Sequence, residues 1–358
     1  MLVGIAITEH CNLRCAHCIR DDVTTVRNLD VGLIHSIAEQ AGALWNDVEI
    51  HMTGGEPTIH PGWDRIVAGL HERGVRYSFT SNGWHMRRLI PGLDRSPPAR
   101  VRLSLSGGDE AVHDAERGRG SFRRILIAIA LLTSRGIPTS LGFLVDRRDR
   151  HQLRQAADLA EALGCTAISF VLAQPVGGSA ARDTDLAPHE WYAVRDEIIA
   201  LGREARRTRV RLDYGSPSVG EEMVCDSFER KRVYVDARGR LSICCQLSEY
   251  GFNDADVVAD LHEHTLAEIW PRYVAALELQ RIAAAPRGDG GELDRFPCIR
   301  CARSMGKMQW LRAYPQSPWA AAAEPGLRPV PRSIVSLTYA RGSRVSDAVN
   351  SSVAVVGA

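Results

Sequence analysis

The chain has 358 residues, 45% of them hydrophobic and 24% charged, so it can build a packed core and is neither a disordered chain nor a fibre. Forty-four Lys and Arg against 43 Asp and Glu leave a formal net charge of +1, and aromatic residues make up 6%. That balance gives no electrostatic case for nucleic acid or an anionic membrane as partner, and no base-stacking platform. No apolar run reaches the roughly 18 residues of a membrane span, and the N-terminus reads as a strand rather than a signal peptide, so a cytoplasmic protein is expected.

In chain order, residues 1–210 alternate short apolar strands with amphipathic helices. The pattern predicts a strand over Val3 to Thr8, a helix over Val31 to Leu44, a strand over Asp47 to Met52 and a helix over Trp63 to Arg73. A strand over Arg76 to Thr80, a short helix over Met86 to Ile90 and a strand over Arg100 to Ser106 follow. Then come a helix over Phe122 to Ser134, a strand over Thr139 to Leu144, a helix over Arg150 to Leu163 and a strand over Ala167 to Leu172. Gly74, Gly136 and Gly164 each sit between a helix and the next strand, where helix-terminating glycines belong. Near-continuous apolar strands joined by helices imply an α/β fold with a parallel, helix-covered sheet. Six such units suggest an incomplete barrel or open sheet, with its chemistry at the C-terminal ends of the strands.

A long helix over Pro188 to Arg207 closes this domain. Residues 211–314 have a different texture. Lys231 to Val235 and Leu241 to Cys244 read as a hairpin around Asp236-Ala237-Arg238-Gly239, followed by a helix over His264 to Arg281 and a loop over Arg287 to Gly291. Residues 315–358 are rich in Pro, then in Ser and Val, and a poorly ordered tail is expected there.

The nine cysteines are unevenly spread. Cys165 stands alone at the head of an apolar run and reads as a core residue. Cys11, Cys15 and Cys18 form a CxxxCxxC triplet directly after the first strand. Three soft thiolates at this spacing can wrap one face of an iron–sulfur cluster and leave one iron open. The alternative is a zinc site completed by His10 or His17. The following strands end in Gly54-Gly55-Glu56-Pro57, in Ser81-Asn82-Gly83 and in Ser104-Leu105-Ser106, and Arg117 comes shortly after. All of these fall on the rim that carries the triplet.

Together the triplet and the Gly-Gly-Glu-Pro segment resemble the radical S-adenosylmethionine (SAM) enzymes, over residues 1–210. The resemblance implies a partial (β/α)6 barrel, a [4Fe–4S] cluster on Cys11, Cys15 and Cys18, and SAM chelating the open iron. It implies SAM contacts from Gly54, Gly55, Glu56 and Pro57, and at a second tier from Asn82, Ser104, Ser106 and Arg117. The strand around Val171 to Ala173 would approach the adenine. His17 holds a position that is aromatic in the family, and would pack on the adenine side.

Cys225, Cys244, Cys298 and Cys301, with Gly239 five positions before Cys244, resemble the auxiliary-cluster domain of these enzymes, called twitch or, in its longer form, SPASM. The resemblance implies a small α+β domain and one auxiliary [4Fe–4S] cluster; a four-cysteine zinc site is the alternative. Cys244 and its neighbour Cys245 cannot face the same way on a strand, which leaves the choice between them open.

The function implied is a radical SAM oxidoreductase. A 5′-deoxyadenosyl radical would take a hydrogen from substrate, and the auxiliary cluster would accept an electron or orient the substrate. A ribosomally made peptide of natural-product biosynthesis is the first substrate class, dehydrogenation of a small metabolite such as an aminosugar the second. Expected partners are a flavodoxin- or ferredoxin-type electron donor and, for a peptide, a separate leader-peptide-binding protein. A non-catalytic zinc or iron–sulfur scaffold is the reading of another class. Further candidates near the site are His51, His60, Asp213, Tyr214, Glu221 and Glu222, none of them singled out as an acid or base. Lys307 to Trp310 read as packing around the last cysteines.

Overall fold

The computed structural model describes residues 1–18, 26–173, 175, 184–204, 206–213, 215–217, 225–250, 253–286 and 292–323. The expected strands and helices of the first part are present. β1 (Leu2–Thr8) leads to α1 (Val31–Leu44), β2 (Glu49–Gly54), α2 (Trp63–Glu72), β3 (Arg76–Ser81), α3 (Met86–Arg95) and β4 (Arg100–Leu105). α4 (Glu110–Arg117), α5 (Ser121–Thr133), β5 (Thr139–Val145), α6 (Leu153–Ala162), β6 (Ala167–Leu172), α7 (Pro188–Arg203) and β7 (Arg209–Leu212) complete it. Asp30 starts α1 by accepting the Leu33 amide at 3.1 Å. Gly74, Gly136 and Gly164 end their helices at φ of 65°, 69° and 73°.

Four elements differ from the sequence pattern. α3 runs on through Pro91, because Met86, Leu89, Ile90 and Leu93 form one buried stripe that outweighs the missing amide. α4 is polar enough to have read as loop. α7 stops at Arg203, and the residues after it supply β7, whose Arg-Val-Arg-Leu is too short and too charged to announce a strand.

One ten-stranded sheet runs in the order β10-β9-β8-β1-β2-β3-β4-β5-β6-β7. The strands from β8 to β7 are parallel, and the sheet is not closed. β8 (Arg232–Val235) lies against β1, with Leu2 opposite Arg232 and Ile5 opposite Val235, so the second part of the chain continues the first part's sheet. It then turns back as β9 (Arg240–Ser242) and β10 (Val257–Asp260), both antiparallel. The turn is held by Asp236, which accepts the amides of Arg238 and Arg240 at 2.9 Å each, and by Gly239 at φ 78°. α8 (Cys245–Glu249), α9 (Leu266–Ala283) and α10 (Pro297–Ser304) follow. α9 leans on α1 through the edge-on pair Trp45–Trp270 at 5.0 Å.

The strands are less uniformly apolar than expected. Ile5, Ile50, Phe79, Leu103, Phe143 and Phe170 are fully buried in the core under the helices. The residues between them, Gly4, His51, Thr80, Arg102, Gly142 and Ser169, line a cavity of about 880 Å³ on the other face. An open lumen asks for polar side chains, so only the helix-covered face is hydrophobic. Cys165 is buried, as expected.

The tail expected from residue 315 does not include residues 315–323. Residues 315–323 are packed: Trp319 is fully buried, meets Phe296 edge-on at 5.0 Å and donates its indole N–H to the Leu186 carbonyl at 2.9 Å. A large aromatic ring with a satisfied donor anchors this stretch despite its prolines. Trp319→Ala is expected to lower unfolding free energy by about 3–5 kcal/mol, measured by chemical denaturation. A change below about 1 kcal/mol would mean that the segment is an ornament on the fold. Residues 324–358 lie outside the described residues.

Candidate active site

The chain beyond β1 is fixed by backbone contacts at its end. The Gly55 amide donates to Thr8 O at 2.8 Å, and the Glu56 amide to His10 O at 2.7 Å. Both glycines are needed for this approach. A Cβ on Gly54 would stand 2.1 Å from Thr8 O, at a φ of 132°, and one on Gly55 would stand 2.2 Å from His10 O. Glu56 is buried and works inward: its carboxylate accepts the Asn82 amide at 2.7 Å and the hydroxyls of Thr58 and Ser81 at 2.6 and 2.8 Å. Burial outweighs these bonds and raises its pKa. Pro57 is buried at the start of a short turn. The segment thus buckles β2, β3 and the cysteine loop together.

Cys11, Cys15 and Cys18 all line the cavity, with His17, Gly54, Gly55, Glu56, Asn82, Ser104 and Arg117. Asn82 donates to Asn12 Oδ1 at 3.0 Å and lies 4.0 Å from Cys11 Sγ. Arg117 donates to Ser106 Oγ at 2.7 Å and points a second nitrogen at Cys15 Sγ, 3.9 Å away. Ser106 is therefore buried behind the cavity wall, as the rest of Arg117 rather than as a lining residue. His17 Nδ1 meets Glu116 at 3.1 Å, and Glu116 meets Arg148 at 2.6 Å. Burial opposes ionisation of Glu116, but His17 and Arg148 prevail and hold its carboxyl below the ordinary value. The sequence pattern missed Glu116, Arg148 and Asn12; the acidic and basic neighbours Glu116-Arg117 at a helix end were their only signal.

These thiols suit a cationic inorganic group. Burial, then the charges of Glu56, Cys15 and Cys18, push the Cys11 pKa up to about 11. Three thiols facing one space favour whatever positive charge deprotonates them, while Arg117 and Asn82 offer N–H groups to sulfur. Among the described residues, no three His, Cys, Asp or Glu are placed as ligands of one metal ion.

Residues 5–160 match the family model described as the radical SAM superfamily. This segment is a radical SAM domain. Relatives described as probable GTP 3′,8-cyclases include one from Saccharolobus islandicus, 27% identical over 282 residues, covering 74% of this chain and 89% of the relative. Another, from Metallosphaera sedula, is 24% identical and covers 67% of this chain and 79% of the relative. Solved structures share the fold. SuiB of Streptococcus suis bound to its precursor peptide SuiA gives a TM-score of 0.65 at 13% identity, over 88% of this chain and 73% of SuiB. SuiB bound to S-adenosylmethionine gives 0.63 at 15% identity, over 75% of this chain and 65% of that one. anSMEcpe with AdoMet and the Cp18Cys peptide gives 0.63 at 14% identity, over 90% and 98%. The radical SAM family and these AdoMet-bound neighbours imply a [4Fe–4S] cluster and SAM as cofactors.

Four of the remaining cysteines gather at a second place. Cys298 and Cys301 lie one turn apart on α10, where their charges couple to Cys225. Cys244 couples to both, and its Sγ accepts the Leu247 amide at 3.5 Å as the cap of α8. Burial raises Cys244 and Cys298 well above the ordinary thiol value and Cys301 to about 12. Cys245 also couples to Cys244 and Cys298, and in addition packs with Ala6, Tyr234 and Ala237 and lines the cavity. None of the nine cysteines is in a disulfide.

The other candidates divide. His60 is bound to Leu29 O at 3.0 Å and accepts the Gly62 amide at 2.9 Å, a turn-forming role. His51 lines the cavity, held by Ser78 at 2.8 Å and Thr80 at 3.0 Å, and burial with nearby arginines lowers its pKa to about 3, so it is neutral at physiological pH. Asp213 lines the cavity and pairs with Arg102 at 2.8 Å. Lys307 and Met308 are buried, Lys307 against Asp256 at 2.6 Å. Tyr214, Glu221 and Glu222 lie outside the described residues.

Proposed function

We propose that the cavity is the active site of a two-cluster radical SAM enzyme that oxidises or cross-links an organic substrate. The observation that carries this is the meeting of Cys11, Cys15, Cys18, Gly54, Gly55 and Asn82 on the wall of one cavity. Cys11, Cys15 and Cys18 would hold the [4Fe–4S] cluster. Gly54, Gly55, Ser104 and Arg117 would face SAM, with Glu56, Pro57, Asn82 and Ser106 fixing those groups and His17 closing one side. When bound, cluster and SAM supply a one-electron oxidant able to take hydrogen from an unactivated C–H bond. The protein keeps water out and holds the substrate carbon in place.

Cys225, Cys244, Cys298 and Cys301, in the twitch/SPASM-like part over residues 211–314, are proposed to hold an auxiliary [4Fe–4S] cluster. Cys244 couples to both Cys298 and Cys301 while Cys245 lines the cavity, which supports Cys244 as the ligand. Such a cluster would accept an electron or orient substrate, and a flavodoxin- or ferredoxin-type protein would feed the first. Two of the solved neighbours, SuiB with SuiA and anSMEcpe with Cp18Cys, are bound to peptides, which supports a peptide substrate, delivered by a separate leader-binding protein. The second reading, a small metabolite, is favoured by the relatives described as GTP 3′,8-cyclases and by the arginines of the cavity, which suit an anionic compound better than an aminosugar.

Iron and sulfide analysis after anaerobic reconstitution tests the two-cluster reading. About eight irons per chain are expected. Cys298→Ala should fall to about four and keep 5′-deoxyadenosine release. Zinc in place of half of the iron would remove the electron-accepting role.

A further inference from the structure

Resting on the reading of the cavity as the substrate site, we propose that Arg102 and Arg211 bind an oxyanion of the substrate, a phosphate or a carboxylate. β4 places Arg100, Arg102 and Ser104 on the lumen face by simple alternation, and β7 adds Arg211; all four line the cavity. The register sets Arg211 level with Ser169, Gly142 and Ser104 across β6, β5 and β4. Gly142 makes the room: a Cβ there would stand 2.5 Å from Arg102 Nε.

The charges are unevenly matched. Arg100 pairs with Glu49 at 2.9 Å and Arg102 with Asp213 at 2.8 Å. Arg211 forms no ion pair with a described residue and is exposed to the lumen on the edge strand. Burial and the like charges of Arg209, Arg100 and Arg102 work against its own charge, with Asp213 offsetting them in part. A bound oxyanion would relieve that repulsion, and a guanidinium fork matches it with two parallel hydrogen bonds. Ser140 and Ser169, also on the cavity wall, add hydroxyl donors. Neutral His51 adds no charge to the balance. An ammonium group in the same place would meet repulsion.

The test is isothermal titration of the anaerobically reconstituted, SAM-loaded protein with inorganic triphosphate and, separately, with glutarate. We expect at least one to bind. Arg211→Gln should weaken it by about tenfold or more, as loss of a charge-assisted pair does. Asp213→Asn, which releases Arg102 from its carboxylate, should tighten it by about threefold, a change that a misfolded variant would not give. Arg88→Gln, on the outer surface of α3, should leave binding unchanged. Binding of triphosphate alone identifies a phosphorylated substrate; binding of glutarate alone identifies a carboxylate, as on an acidic peptide. Failure of both with wild-type protein, or binding indifferent to both Arg211→Gln and Asp213→Asn, overturns the proposal. Deoxyadenosine release from SAM by the wild-type protein is assayed in parallel. Its absence would defeat the catalytic reading on its own, while the titration still decides the anion site.

Discussion

Cys15→Ala is expected to abolish 5′-deoxyadenosine release from SAM and to lower iron from about eight to about four per chain. The thiol lines the cavity beside Cys11 and Cys18, with an Arg117 nitrogen 3.9 Å from it. A cluster short of one of three ligands loses its anchorage rather than part of its activity. Cys165→Ala is the matched control: it removes a buried thiol from the core and should leave iron and deoxyadenosine unchanged. Unchanged cleavage in Cys15→Ala would sink the radical reading and leave a metal-binding scaffold.

Gly55→Ala should be almost as damaging, although it adds one methyl group to a residue with no reactive atom. The new carbon would fall 2.2 Å from the His10 carbonyl oxygen and 2.5 Å from its carbon, both backbone atoms that no rotamer change can move. Either β2 or the cysteine loop must shift. Overpacking of this kind costs about 1–3 kcal/mol, which a chain of this size should survive. The displaced loop, one bond before Cys11, should lower deoxyadenosine release by about a hundredfold, as misplacement by about 1 Å does. The assay is cleavage rate per bound iron, with thermal unfolding beside it. A wild-type rate in a stably folded Gly55→Ala protein would show that the close approach does not position the loop.

Much of this was legible in the sequence, for reasons that can be named. The six strands of the barrel announced themselves because their helix-facing residues are aliphatic or aromatic, and the helices between them because glycine ends them. The cysteine triplet and Gly-Gly-Glu-Pro fell on one rim because parallel strands all finish at the same side of the sheet. What was not legible depends on distance. Gly54 and Gly55 read as a ligand contact, whereas the structure shows them first as a seam against Thr8 and His10. Arg100, Arg102 and Arg211 drew no notice, since nothing in a single strand says which side of it encloses a lumen. β7 and the Trp319 anchor failed to register because each is a short stretch whose stability comes entirely from partners far along the chain.

The place of β8 beside β1 has a consequence for how the chain is made. β1 leaves the ribosome first, and one of its edges finds β2 within fifty residues or so. Its other edge has no partner until Arg232–Val235 emerge. For most of synthesis this apolar strand therefore presents an open row of amides and carbonyls, a template for pairing with another nascent chain. A fragment ending near residue 210 would carry that exposed edge permanently, and should aggregate where the longer chain stays monodisperse.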